Sequence, residues 1–129
     1  MKQYDALTVL VVEDSASIRK IIVSVLHGIG FVRVDQAEDG KQALDIMAHT
    51  IPDLVISDIN MPKVNGLELL SAMQKNPGLK TIPFVVLTSE ISDETFKQVM
   101  SMGAADYIRK PFSKEDLIVK IKSIVQWLN

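Results

Sequence analysis

Leu54-Val55-Ile56-Ser57-Asp58-Ile59-Asn60-Met61-Pro62 is the stretch on which the fold turns. Residues 54–57 are apolar but for one serine, follow Pro52-Asp53 and stop at Asp58. A run this short, bounded by turn residues, reads as a strand covered on both faces. Three further runs end in the same way. Val9-Leu10-Val11-Val12 meets Glu13-Asp14, Phe84-Val85-Val86-Leu87 meets Thr88, and Tyr107-Ile108-Arg109 meets Lys110-Pro111.

Helix-spaced segments fill the intervals. The first strand is read at 8–12. Ser15 is placed to cap a helix carrying Ile18, Ile21, Ile22, Val25, Leu26 and Ile29, a spacing of about 3.6, with Gly30 as its stop. Residues 32–37 form a more polar strand, expected at a sheet edge. Asp39-Gly40 reads as a turn, and 42–49 as a helix turning Ala43, Leu44, Ile46 and Met47 inward. Residues 61–66 are a loop and 67–75 a helix ended by Asn76-Pro77-Gly78. Pro83 opens a strand at 84–87. Asp93 is read as the cap of a helix reaching about Met102. A fifth strand, 106–109, precedes a last helix opened by Phe112 and Ser113. Its stripe is Leu117, Ile121, Ile124 and Leu128, widened by Ile118 and Val125. Strict alternation of five strands and five helices implies an α/β doubly wound parallel sheet with helices on both faces.

Composition agrees with one intracellular domain. The 129 residues suffice for a single core, and a 47% hydrophobic share argues against disorder. A net charge of −2, with scattered Lys and Arg, gives no field for nucleic acid. There is no cysteine, which excludes disulfides and thiolate chemistry. No stretch approaches the ~20 apolar residues of a membrane helix, and no signal peptide is evident. The expectation is a soluble cytoplasmic chain, one domain over 1–129, with no output domain and no membrane partner.

In doubly wound sheets, ligands sit beyond the carboxyl ends of the strands. Glu13, Asp14, Asp58, Thr88 and Lys110 all fall there. Three carboxylates against one ammonium leave two excess negative charges, which a divalent cation cancels. Magnesium suits all-oxygen donors; Mn2+ is the expected substitute. Asp58 is then a carboxylate nucleophile for phosphorus. The ion, Lys110 and the Thr88 hydroxyl are placed to share the three phosphoryl oxygens, with backbone N–H groups just after Asp58 as further donors.

These residues, in this order, make the chain resemble the response-regulator receiver family, most of all its single-domain, chemotaxis-type (CheY-like) members. The likeness covers nearly the whole chain. It implies a flavodoxin-like sheet of strand order 2-1-3-4-5. It implies Asp58 as phosphoacceptor, Asp14 as a direct Mg2+ ligand, Glu13 as one largely through water, and the Asn60 carbonyl as another. Thr88 and Tyr107 are the implied switch pair, Lys110 the phosphate-contacting lysine, and Lys110-Pro111 a cis bond. The resemblance also implies that Asn60 and Glu90 occupy positions that tune acyl-phosphate hydrolysis. Asn65-Gly66 departs from the usual Asp-Gly and should alter loop capping, not chemistry. The implied partners are a sensor histidine kinase and a downstream protein that reads the face of the fourth helix, fifth strand and fifth helix. The implied state is a monomer, with dimerisation an option on phosphorylation. Turnover of an external substrate is not expected.

Plainer readings stand beside these. Asp14 is suited to helix capping, Thr88 to ordinary strand structure, Lys110 to solvent and Tyr107 to the core. His27 and His49 are read as surface residues without a role. The six methionines are read mainly as core filling, Met100 and Met102 included, with a partner surface as the alternative for those two. Trp127 is a candidate for partial exposure on a docking face. Three rival functions remain: a Mg2+-dependent phosphatase-like hydrolase, a nucleotide-binding module, and a non-phosphorylated docking receiver. Ser15-Ala16-Ser17 stands where a Gly-rich phosphate loop would be.

Overall fold

The computed structural model describes residues 4–61, 63–89 and 92–126. After a 3-10 turn at Tyr4–Ala6, the chain alternates β1 (Thr8–Val12), α1 (Ala16–Ile29), β2 (Arg33–Ala37), α2 (Gly40–Met47), β3 (Leu54–Asp58), α3 (Gly66–Gln74), β4 (Phe84–Thr88), α4 (Asp93–Ser101), β5 (Asp106–Arg109) and α5 (Lys114–Val125). All strands run parallel, in the order β2-β1-β3-β4-β5.

Alternation along each strand divides the core in two. Val9, Val11, Leu54, Ile56, Val85, Leu87 and Ile108 meet α1 and α5, through Ile22, Val25, Leu26, Leu117 and Ile121. Leu10, Val12, Val55, Phe84 and Val86 meet α2, α3 and α4, through Ala43, Met47, Leu69, Leu70, Met73 and Val99. The three inner strands, β1, β3 and β4, are buried throughout. β2 buries only Ala37, because one flank of an edge strand faces water.

Several boundaries differ from the sequence reading. Asp39 does not lead a free-standing turn: its Oδ1 accepts from Gln42 N–H at 2.8 Å, so it caps a helix that starts at Gly40. Ser92, not Asp93, caps α4, accepting from Thr95 N–H at 3.1 Å. Asp93 falls inside the first turn, where an acid is favoured by the helix dipole. Asn65 closes a capping box with Glu68 at the start of α3. β3 and β4 each run one residue further, pairing Asp58 with Leu87 and Thr88 with Arg109. Ser113 caps α5, while Phe112 stays outside the helix and packs on the first core. Met47, Met61 and Met73 fill the core, and Met102 packs against it. Met100 is exposed, contrary to its core reading, because the lightly packed α4 buries only Val99. His27 and His49 are exposed, as read. Pro62, Glu90, Trp127 and Leu128 lie outside the described residues. Among the described residues, no helix is long and apolar enough to cross a membrane.

Candidate functional site

Parallel pairing brings the carboxyl ends of β1, β3, β4 and β5 to one rim. β1 ends at Val12, so Glu13 and Asp14 leave the sheet together. The Glu13 N–H still reaches the Ala37 carbonyl of β2 at 3.0 Å. Asp58 closes β3 and is buried. Lys110 leaves β5 with its N–H on the Thr88 carbonyl at 2.8 Å, and the peptide to Pro111 is cis, as the resemblance implied.

The side chains converge. One oxygen from each of Glu13, Asp14 and Asp58 lies within 4.8 Å of the others. The Lys110 Nζ sits 2.5 Å from Glu13 Oε1 and 3.2 Å from Asp58 Oδ2. Glu13 Oε2 accepts from the Ser15 N–H at 3.3 Å. Glu13 is fully buried and Asp14 is exposed, so the cluster opens to solvent on the Asp14 side. Asp14 is thus not the cap of α1; Ser15 is, accepting from Ile18 N–H at 3.3 Å.

Two protonation equilibria follow. Burial, helped by Asp14 and Asp58, pushes the Glu13 carboxyl above its ordinary 4.5, against the pull of Lys110. Burial works to lower the Lys110 ammonium, but Glu13 and Asp58 outweigh it and hold it above 10.5.

An all-oxygen donor set with excess negative charge fits a hard divalent cation. Asn60 is exposed and lies two residues beyond the end of β3.

One expected donor is already committed. The Ile59 N–H is given to the Leu87 carbonyl at 3.2 Å, because the β3–β4 ladder continues one residue past Asp58. Thr88 is buried at the end of β4. Tyr107 aligns with Val86, two residues before Thr88, and packs on the same sheet face as Val86. Its ring meets Phe96 of α4 edge-on at 5.2 Å, and Lys120 of α5 lies 5.1 Å from its centroid. Lys120 also pairs with Asp106 at 3.0 Å. Sequence reasoning did not single out Phe96 or Lys120, since no spacing along the chain links them to Tyr107. Arg19 and its bond to the Glu13 carbonyl were missed for the same reason.

Residues 9–122 match the model of the response regulator receiver domain. The chain belongs to the response regulator receiver family. It is 32% identical over 120 residues to a probable chemotaxis protein CheY of Rhizobium etli, with 93% of each chain covered. It is 34% identical to a probable methanogenesis regulatory protein, FilR2, of Methanothrix harundinacea, covering 96% of this chain and 85% of that one. Among solved structures, the chemotaxis response regulator CheY4 of Vibrio cholerae superposes with a TM-score of 0.86 at 34% identity, over 92% of this chain and 98% of the other. The chain is therefore a CheY-like receiver of the two-component class.

Proposed function

We propose that the chain is a phosphorylation-activated response regulator that accepts a phosphoryl group on Asp58 from a sensor histidine kinase. The observation that carries this is the Asp58 carboxylate at the end of the central strand, 3.2 Å from Lys110 and within one cluster with Glu13 and Asp14. An Asp58 oxygen attacks phosphorus as the P–N bond of the kinase phosphohistidine breaks; the imidazole nitrogen leaves with the electron pair and takes up a proton, and Asp58 carries an acyl phosphate. Lys110 meets the charge brought by the phosphoryl oxygens. Glu13, Asp14, Asp58 and the Asn60 carbonyl are the groups that would hold Mg2+, which when bound offsets the charge of the phosphoryl oxygens. The test is incubation with acetyl phosphate and Mg2+, followed by intact mass. One phosphoryl group is expected, and none with EDTA; no gain under either condition overturns the reading.

Glu13 gives this site a pH signature. A proton on its raised carboxyl competes with the cation. Mg2+ affinity is therefore expected to fall as pH drops from neutral into the window that begins above 4.5. Calorimetric titration across that range checks it, and a flat affinity counts against Glu13 as a ligand or ligand neighbour.

Thr88 and Tyr107 supply the proposed switch. The Thr88 hydroxyl turns toward a phosphoryl oxygen, and the space it leaves admits the Tyr107 ring on the same sheet face. The outer surfaces of α4, β5 and α5 change with it. Thr88→Ala is expected to keep most phosphoryl uptake but to leave the Tyr107 ring unresponsive. The ring's NMR resonances on phosphorylation report this: a shift equal to that of the parent chain removes Thr88 from the pathway.

The rest follows from the same reading. The chain turns over no phosphomonoester. It acts in the cytoplasm on a protein target, with motility the output favoured by its likeness to chemotaxis proteins. Asn60 and Glu90 tune the lifetime of the acyl phosphate.

A further inference from the structure

Arg19 stands among the first four residues of α1 and is half-buried. A cation there opposes the helix dipole, so helix stability does not explain it. Its Nη1 donates to the Glu13 main-chain carbonyl at 2.6 Å, and its Nε donates to Gln36 Oε1 of β2 at 3.2 Å. The other polar groups of Glu13 are also engaged. Its N–H goes to Ala37, Oε1 takes Lys110, and Oε2 takes the Ser15 N–H. The Glu13 carbonyl shares one planar peptide with the Asp14 nitrogen. Holding that oxygen fixes the peptide plane, and with it the Asp14 nitrogen and Cα from which the side chain leaves. Asp14 is exposed, so packing does little to orient it.

We propose that Arg19 is a positioning residue that locks the Glu13–Asp14 peptide, with Gln36 aiming its guanidinium, so that both acids are oriented before a divalent cation arrives. This rests on reading the acid cluster as a cation site. Groups that orient metal ligands without touching the ion commonly change affinity by about tenfold or more.

The experiment is calorimetric titration of the whole, unphosphorylated chain with Mg2+, beside thermal unfolding in EDTA. Arg19→Met keeps the aliphatic stem and removes every donor. It is expected to unfold cooperatively yet to bind Mg2+ about tenfold more weakly. Arg19→Lys, which retains one donor for the carbonyl, should recover most of the loss. A folded Arg19→Met with the affinity of the parent chain overturns the proposal. Should Arg19→Met lose its cooperative transition, Gln36→Ala decides: weakened binding supports the proposal and unchanged binding overturns it. If the parent chain itself binds no Mg2+, the reading of the site fails, and the proposal with it.

Discussion

Asp58→Ala is expected to keep its unmodified mass after incubation with acetyl phosphate and Mg2+, while the parent chain gains one phosphoryl group. Neither remaining acid can take its place. Glu13 is fully buried, with one oxygen on Lys110 and the other on the Ser15 N–H, so its lone pairs face partners and not an incoming phosphorus. Asp14 is accessible but flanks β1, away from the strand that carries Thr88. Asp58 closes β3, next to β4 and within reach of Lys110. The substitution should leave the fold intact. Lys110 keeps its bond to Glu13, and a like-charged neighbour of Glu13 is removed, so no uncompensated buried cation results. Asp58→Asn, which preserves shape without the nucleophile, should fail equally. A mass gain in either variant equal to that of the parent would assign the acceptor elsewhere.

Gly66→Ala, at the first residue of α3, should be the most damaging single methyl added at any of the six glycines. A Cβ built at Gly66 would lie 2.2 Å from the Asp58 carbonyl oxygen and 2.8 Å from the Ile59 Cα. Both obstacles are backbone, and the Gly66 N–H is bonded to the Ile59 carbonyl at 2.9 Å, so no side-chain rotation relieves the clash. Either the β3–α3 connection moves or the end of β3 does. Overpacking of this kind costs about 3 kcal/mol. For a chain of this size that lowers the melting temperature by roughly 10 °C. Because Asp58 is the residue displaced, phosphoryl uptake should fall as well. A melting temperature unchanged within error would mean that the connection is looser than its packing indicates.

The fold was largely legible because four of the five strands announce themselves twice, by an apolar run and by the polar residue that ends it; the polar β2 is the exception. Glu13, Asp14, Asp58, Thr88 and Lys110 could be placed on one rim from order alone, since a parallel sheet leaves no other arrangement. Cap positions were harder. Ser92 and Asp93 are adjacent, and both carry an oxygen able to cap; which one does so depends on where the chain turns. Asp39 was hidden by the glycine after it, which mimics a turn. Contacts to backbone were out of reach altogether. The Glu13 carbonyl that Arg19 holds, and the Asp58 carbonyl that excludes a methyl at residue 66, carry no mark in the sequence. The partners of Tyr107 were equally hidden, because Phe96 and Lys120 come from different helices and meet only across β5.

That ring between two helices has a mechanical result. Phe96 and Lys120 each contribute on the order of 1 kcal/mol through their aromatic and cation contacts. Displacing the ring would forfeit both at once, so α4 and α5 would register the event together. Reciprocity then binds the two ends of the molecule. On the proposed function, whatever clamps either helix in its altered pose favours the phosphorylated over the unmodified form of Asp58 by the same free energy that phosphorylation adds to its own binding, so a target protein would draw the equilibrium toward the form it reads.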